Sequence, residues 1–240
     1  MKRAGSVVLT VLIAICLLVA CVGASLAIVC ADPIALRVVA SVHPEWDDQQ
    51  QSVARAISRT TLRYVAALPF GGTAQAPRVN RDTLDVFSDA DESGQGGTAV
   101  APYTTDELAH LRDVRVTFGA VFGLALGAAV VAVILVALWV RRATGRRALF
   151  VGGIVTMAVP ALIALALGVA FDWFFELFHR VLYPQGNWQF AGDSLLITLF
   201  PADYWSTMGM IWMGVLFVLG ALLFVWGLLL VLRHRRRASV

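Results

Sequence analysis

Two places in this 240-residue sequence combine side chains suited to proton transfer. His110 lies between Asp106 and Asp113, and His179 follows Glu176. Each group stands just outside a long uncharged stretch, Val116 to Val140 for the first and Ala148 to Phe171 for the second. Imidazole is the only side chain whose ordinary pKa lies near neutrality, and a nearby carboxylate fixes its tautomer and raises its basicity. Two such rings facing each other at a bilayer surface suit general acid–base work on a lipid ester. A histidine base must be neutral, so turnover is expected to fall below about pH 6. The plainer reading makes both histidines polar anchors at a membrane interface, and spacing alone leaves the two readings open. Asp172, Glu176 and His179 recur at i, i+4 and i+7, a polar stripe on an otherwise apolar helix. Such a stripe is costly at this depth unless it is paired or wet.

Other chemistries have less support. There is no Gly-x-Ser-x-Gly elbow, no His-Glu-x-x-His and no phosphate loop. Cys16, Cys21 and Cys30 all fall in the first apolar stretch without metal-ligand spacing, so neither a disulfide framework nor a metal or other cofactor is expected. Asp89 to Gly94 imitates the opening of a calcium loop, but its twelfth position is Val100, so an acidic turn is expected there.

The elements that must hold the histidines follow from composition. The chain is 59% hydrophobic and 15% charged, against roughly 45–50% apolar in soluble domains. Four charge-free runs reach the roughly 20 residues that a bilayer core requires. They predict transmembrane helices over 4–31, 116–140, 148–171 and 205–232, a cap over 32–115, a turn over 141–147, a loop over 172–204 and a tail over 233–240. The turn is short and basic, so the second and third helices are antiparallel neighbours, which would bring His110 and His179 to the same height. Lys2 and Arg3, then Arg141, Arg142, Arg146 and Arg147, then Arg233, Arg235, Arg236 and Arg237 fall on one side, and all 16 acidic residues fall on the other. The positive-inside rule makes the first side cytoplasmic, so both termini are expected in the cytoplasm of a multi-pass inner-membrane protein. The net charge of +3 therefore reflects anchoring at an anionic leaflet and no nucleic-acid partner. Leu18-Val19-Ala20-Cys21 resembles a lipobox, but the run is longer than the roughly 7–15 apolar residues of a signal peptide and stays apolar to Cys30, so an uncleaved helix is expected.

Between the spans, Asp47 to about Ala67 has helical spacing, with Arg55, Arg59 and Arg63 on one face, either solvated or touching lipid phosphates. Gly71 to Pro77 reads as a loop and Leu84 to Phe87 as a short strand. The expected fold class is therefore an all-α membrane protein, four transmembrane helices with a small extracytoplasmic α(+β) cap. Thr104 followed by Glu107 is a capping box that starts a helix running unbroken into the second span. The 172–204 segment is rich in aromatics, part of them an interfacial belt, and Tyr183 to Trp188 forms a turn.

Two segments carry a resemblance. Tyr103-Thr104-Thr105-Asp106-Glu107-Leu108-Ala109-His110-Leu111-Arg112-Asp113-Val114 is the first; Phe178-His179, Asn187-Trp188, Asp193-Ser194-Leu195-Leu196-Ile197 and Phe200-Pro201 make up the second. Their order and the four-span layout resemble a bacterial integral membrane family, formerly of unknown function, that includes the lipoprotein intramolecular transacylase. The resemblance implies transfer of the sn-2 acyl chain of a diacylglyceryl-cysteine to that cysteine's own α-amino group. It implies membrane lipids and diacylglyceryl-modified lipoproteins as partners, and His110 and His179 as the functional pair, His110 being the base. Asp106, Asp113, Glu176 and Trp188 are the expected supporting residues. The sequence departs from the family at Leu111, where Met is commoner, along Tyr183 to Gly186, and in the 71–101 segment. The alternative is a non-catalytic envelope protein that binds or regulates a partner. A transporter is disfavoured, because only Pro160 interrupts an apolar run and no ionisable group lies deep within one.

Overall fold

The computed structural model describes residues 2–66, 73, 75–87 and 101–238. In chain order the helices are α1 (Lys2–Val29), α2 (Asp32–Ser41), α3 (Asp48–Val65), α4 (Arg81–Leu84), a 3₁₀ turn (Asp85–Phe87), α5 (Thr105–Trp139), α6 (Ala143–Leu182), α7 (Leu195–Leu199) and α8 (Ala202–Ala238). Four of these, α1, α5, α6 and α8, are long and apolar enough to cross a membrane, and the protein is an integral membrane protein. The basic connection is tighter than expected, since α6 begins at Ala143. No strand occurs among the described residues. The strand expected at Leu84 to Phe87 is instead the end of α4 and the 3₁₀ turn, so the α(+β) cap is corrected to an all-helical one. A four-residue apolar run carries too little periodicity to separate the two states. The acidic stretch at Asp89 to Gly94 and most of the Gly71 to Pro77 loop lie outside the described residues.

The chain divides into two compact units. The first comprises Met1–Val29, Val121–Val169 and Met210–Val240. In it, Ile13 and Leu17 of α1, Ala132 of α5, and Ala148 and Leu149 of α6 share one core. Helices α6 and α8 approach at backbone distance: a Cβ on Gly153 would strike the Phe224 backbone, and one on Gly227 the Phe150 backbone. Membrane helices lack a hydrophobic drive toward each other, so small residues that permit this approach supply the packing. Polar groups are matched across helices, Trp212 Nε1 donating to Ser25 Oγ at 2.9 Å.

The second unit comprises Cys30–Ala120 and Ala170–Gly209. Helix α3 starts as its sequence predicts, with Asp47 and Gln50 closing a reciprocal capping box. It packs on α2, and Ala54 and Ile57 of α3 and Ala35 and Val39 of α2 are all buried. Of its three arginines, Arg59 and Arg63 pair with Asp32 at 3.3 and 2.8 Å, while Arg55 is exposed. His43 lies flat on Trp46, ring centroids 3.6 Å apart, and Trp46 meets Phe87. Arg115 of α5 donates to the carbonyls of Tyr64 and Thr73 and covers the Tyr64 ring, tying α5 to the end of α3. Helix α6 is divided by a non-helical residue, Ala170 (φ −145°, ψ 52°), so its segment beyond Ala170 belongs to this unit.

Candidate active site

The site is built within the second unit, on the first turns of α5, the last turns of α6 and the chain that follows. The capping box opens α5 as expected: Thr104 N donates to Glu107 Oε2 at 2.7 Å and Glu107 N to Thr104 Oγ1 at 3.2 Å. Glu107 does more than cap. Its side chain is almost fully buried, and its second oxygen accepts from Leu196 N of α7 at 2.8 Å. A buried carboxylate is tolerable only when its lone pairs meet donors. One side chain thus fastens the start of α5 to the segment carrying Leu196, Ile197 and Phe200.

One turn further along α5, His110 points into the space so enclosed, and His179 enters it from α6. Their ring centroids are 6.0 Å apart, with planes inclined by 28°. Both rings are buried. His179 Nδ1 is 2.8 Å from the Phe175 carbonyl. Because a carbonyl only accepts, Nδ1 must carry the proton, which leaves the Nε2 lone pair free in the neutral ring. The Nδ1 of His110 is buried with no hydrogen-bond partner.

Aromatic rings fix both imidazoles. Phe175 and Trp188 pack at a tilt against His179, 4.0 and 4.9 Å from its ring centroid, while Tyr183 and Phe190 stand 5.0 and 5.6 Å from His110. Tyr183 also reaches His179, at 5.7 Å. Burial raises the Tyr183 phenol above its ordinary pKa, against the opposing effect of its hydrogen bond to Thr117, so it stays a neutral wall. The cavity these groups surround holds about 60 Å³ and is lined chiefly by apolar side chains, among them Leu62, Val65, Leu111, Val114 and Phe200. It has room for a reacting bond and very little water.

The expected supporting residues separate. Trp188 lies against His179. Asp113 Oδ2 accepts from Gln185 Nε2 at 2.9 Å and Asn187 Nδ2 at 2.8 Å, so it holds the turn after α6. Glu176 turns to Arg180 in an i,i+4 ion pair, and Asp106 is exposed in the first turn of α5. None of these three carboxylates is hydrogen-bonded to a histidine ring; the group that orients His179 is a backbone carbonyl. Tyr183, Phe190 and the second bond of Glu107 were not anticipated from the sequence. Tyr183 and Phe190 merge there into a generally aromatic segment, and the Glu107 bond joins residues 89 positions apart. No metal-holding group of three His, Cys, Asp or Glu occurs among the described residues.

A family model described as "Lipoprotein intramolecular transacylase Lit" matches residues 80–205, a stretch that includes both histidines. No curated protein matches. Among solved structures, the chain is similar to the membrane integral lipoprotein intramolecular transacylase Lit from Bacillus cereus, with a TM-score of 0.76 at 15% identity over 98% of this chain and 99% of that one. At that identity the likeness is one of fold.

Proposed function

Since the chain belongs to the lipoprotein intramolecular transacylase family, we propose that it moves the sn-2 acyl chain of a diacylglyceryl-cysteine lipoprotein onto the α-amino group of the same cysteine. The observation that carries this reading is the pair of buried imidazoles 6.0 Å apart in an apolar cavity. The α-amino group is mostly protonated at neutral pH and must lose a proton before it attacks. His179, its Nδ1–H committed to the Phe175 carbonyl, is suited to take that proton on Nε2. This reverses the roles expected from the resemblance, in which His110 is the base. His110 then hydrogen-bonds the ester oxygen as negative charge develops on it. The amine nitrogen bonds to the sn-2 carbonyl carbon, the bond from that carbon to the glycerol oxygen breaks, and the departing oxygen takes the proton from His179. An ester becomes an amide and a glycerol hydroxyl is freed; the ammonium gives up two protons in all, one reaching the glycerol oxygen through His179 and the other released to solvent. Nucleophile and ester belong to one substrate, so the protein's largest contribution is orientation, worth up to about 7–11 kcal/mol in well-aligned reactions.

The deciding experiment is mass spectrometry of the N-terminal peptide of a diacylglyceryl lipoprotein, with and without this protein expressed. Lyso-form peptide carrying an N-acyl group is expected only with it. If no diacylglyceryl substrate is converted, a non-catalytic partner-binding role in the envelope becomes the better reading.

The proposed setting is the bacterial inner membrane, with N and C termini and the 141–147 turn in the cytoplasm and the 32–115 and 172–204 segments outside. The support is the ten basic residues at three flanks and the acidic residues opposite. A reporter fused at Gly145 should be active only as a cytoplasmic reporter, and one at Gly94 only as an external one. Reversed signals would put the histidines on the wrong face for lipoproteins.

A further inference from the structure

Trp188 is a wall of two recesses. One is the histidine cavity. The other, about 320 Å³ in volume, is bounded by Glu176 and Arg180 of α6 and by Tyr183, Gly186, Trp188 and Gln189 of the following turn. That volume is at the lower end of the roughly 300–1,000 Å³ of ligand sites. Its lining is more polar than that of the histidine cavity, with a carboxylate, a guanidinium and an amide set beside Tyr183, Pro184 and Trp188. Tyr183, which lines the second recess, also contacts both imidazoles. Gly186 has φ +80° and nothing within 4 Å of where a Cβ would stand, so the rim of the recess is bare backbone.

A diacylglyceryl-cysteine has three parts: apolar chains, reacting atoms and a polar peptide. The histidine cavity, at about 60 Å³, has no room for the third. We propose that the second recess is the subsite for the peptide that follows the lipid-bearing cysteine, an inference that rests on the transacylase reading above. An extended peptide alternates N–H and C=O groups along its edge, which matches a carboxylate acceptor beside a guanidinium donor. Arg180 already donates to Glu176, so the two hold each other in place for such a ligand. A lipid phosphate fits less well, because Glu176 would repel it beside the cation that attracts it. The subsite reads peptide backbone, so it accepts lipoproteins of varied sequence and gains affinity from having a peptide at all.

The test compares two substrates, diacylglyceryl-cysteine amide with no peptide and a diacylglyceryl-cysteine hexapeptide, on the full-length protein in nanodiscs. For the unaltered protein, kcat/KM should favour the hexapeptide by about tenfold, mainly through KM, as expected for one or two hydrogen bonds to charged groups. Arg180→Ala combined with Gln189→Ala should bring that ratio close to one. Both side chains are exposed, so folding should survive, and an unchanged thermal transition verifies it. Equal kcat/KM for the two substrates in the unaltered protein overturns the subsite while leaving the transacylase reading intact. So does a preference that persists in the double variant. Conversion of neither substrate overturns the transacylase reading and the subsite with it.

Discussion

His110→Ala and His179→Ala should each lower turnover of a diacylglyceryl lipoprotein by about 10²–10⁴-fold, the usual range for a lost general acid or base. Membrane abundance should change little, since each ring is seated among aromatic side chains that remain. The double variant should be no worse than the more damaged single one, because groups that act on one proton are not additive. A pH profile separates the two roles. An imidazole accepts a proton only when neutral, so kcat/KM falls as acid protonates the base. His179→Gln should abolish that acid limb in whatever activity persists, whereas His110→Gln should lower the rate and keep the limb. Loss of the limb in His110→Gln alone would return the base to His110. His43 provides the control: it is buried against Trp46, in a cluster with Phe87. His43→Ala should lower the thermal transition and leave turnover per folded molecule near normal. Normal turnover in either alanine variant of the pair would end the acid–base assignment.

What could be read in the sequence was what local periodicity and charge encode. Runs without charge locate four long helices, and a Thr104–Glu107 pair marks the start of α5 to within a residue. The histidine pair was legible because a tight basic turn forces α5 and α6 to be neighbours, so two residues 69 positions apart in 240 could be compared for height. Spacing fixes which helix turn a carboxylate occupies but not where its side chain finds a partner. Glu176 is three residues from His179 and still goes to Arg180, four residues away, whose guanidinium is always charged. Asp113 is three residues from His110 and goes to two amides from beyond the end of α6. The aromatic enclosure was hidden for a related reason: ten aromatics between Trp173 and Trp205 have no period that separates wall from interfacial belt. Leu84 to Phe87 failed at the other extreme, being too short for any period to show.

Asp113→Ala should cost about 10²-fold in kcat/KM, the scale on which displacement of about 1 Å acts in an oriented site. The reason lies in what Asp113 holds rather than in what it titrates. Its Oδ2 accepts both Gln185 Nε2 and Asn187 Nδ2, at 2.9 and 2.8 Å, and so clamps the two sides of a turn whose glycine, Gly186, sits at φ +80°. The turn begins at Tyr183, whose ring meets both histidines, and ends at Trp188, which lies against His179. Hydrogen bonds to a charged acceptor are each worth about 1.5–3 kcal/mol when shielded and less at a partly exposed site such as this one. Losing both releases the turn without unfolding α5 or α6. Asp113→Asn is the informative comparison, since its amide oxygen can still accept from Asn187. If Asp113 acts as a clamp, the asparagine variant should recover to within about tenfold of normal, and Asn187→Ala should add little to Asp113→Ala because the two remove the same bond. If Asp113 acts instead through its charge on His110, asparagine will be as damaging as alanine and the pH profile will move with it. Normal turnover in Asp113→Ala would show that the aromatic walls stay in place without the clamp.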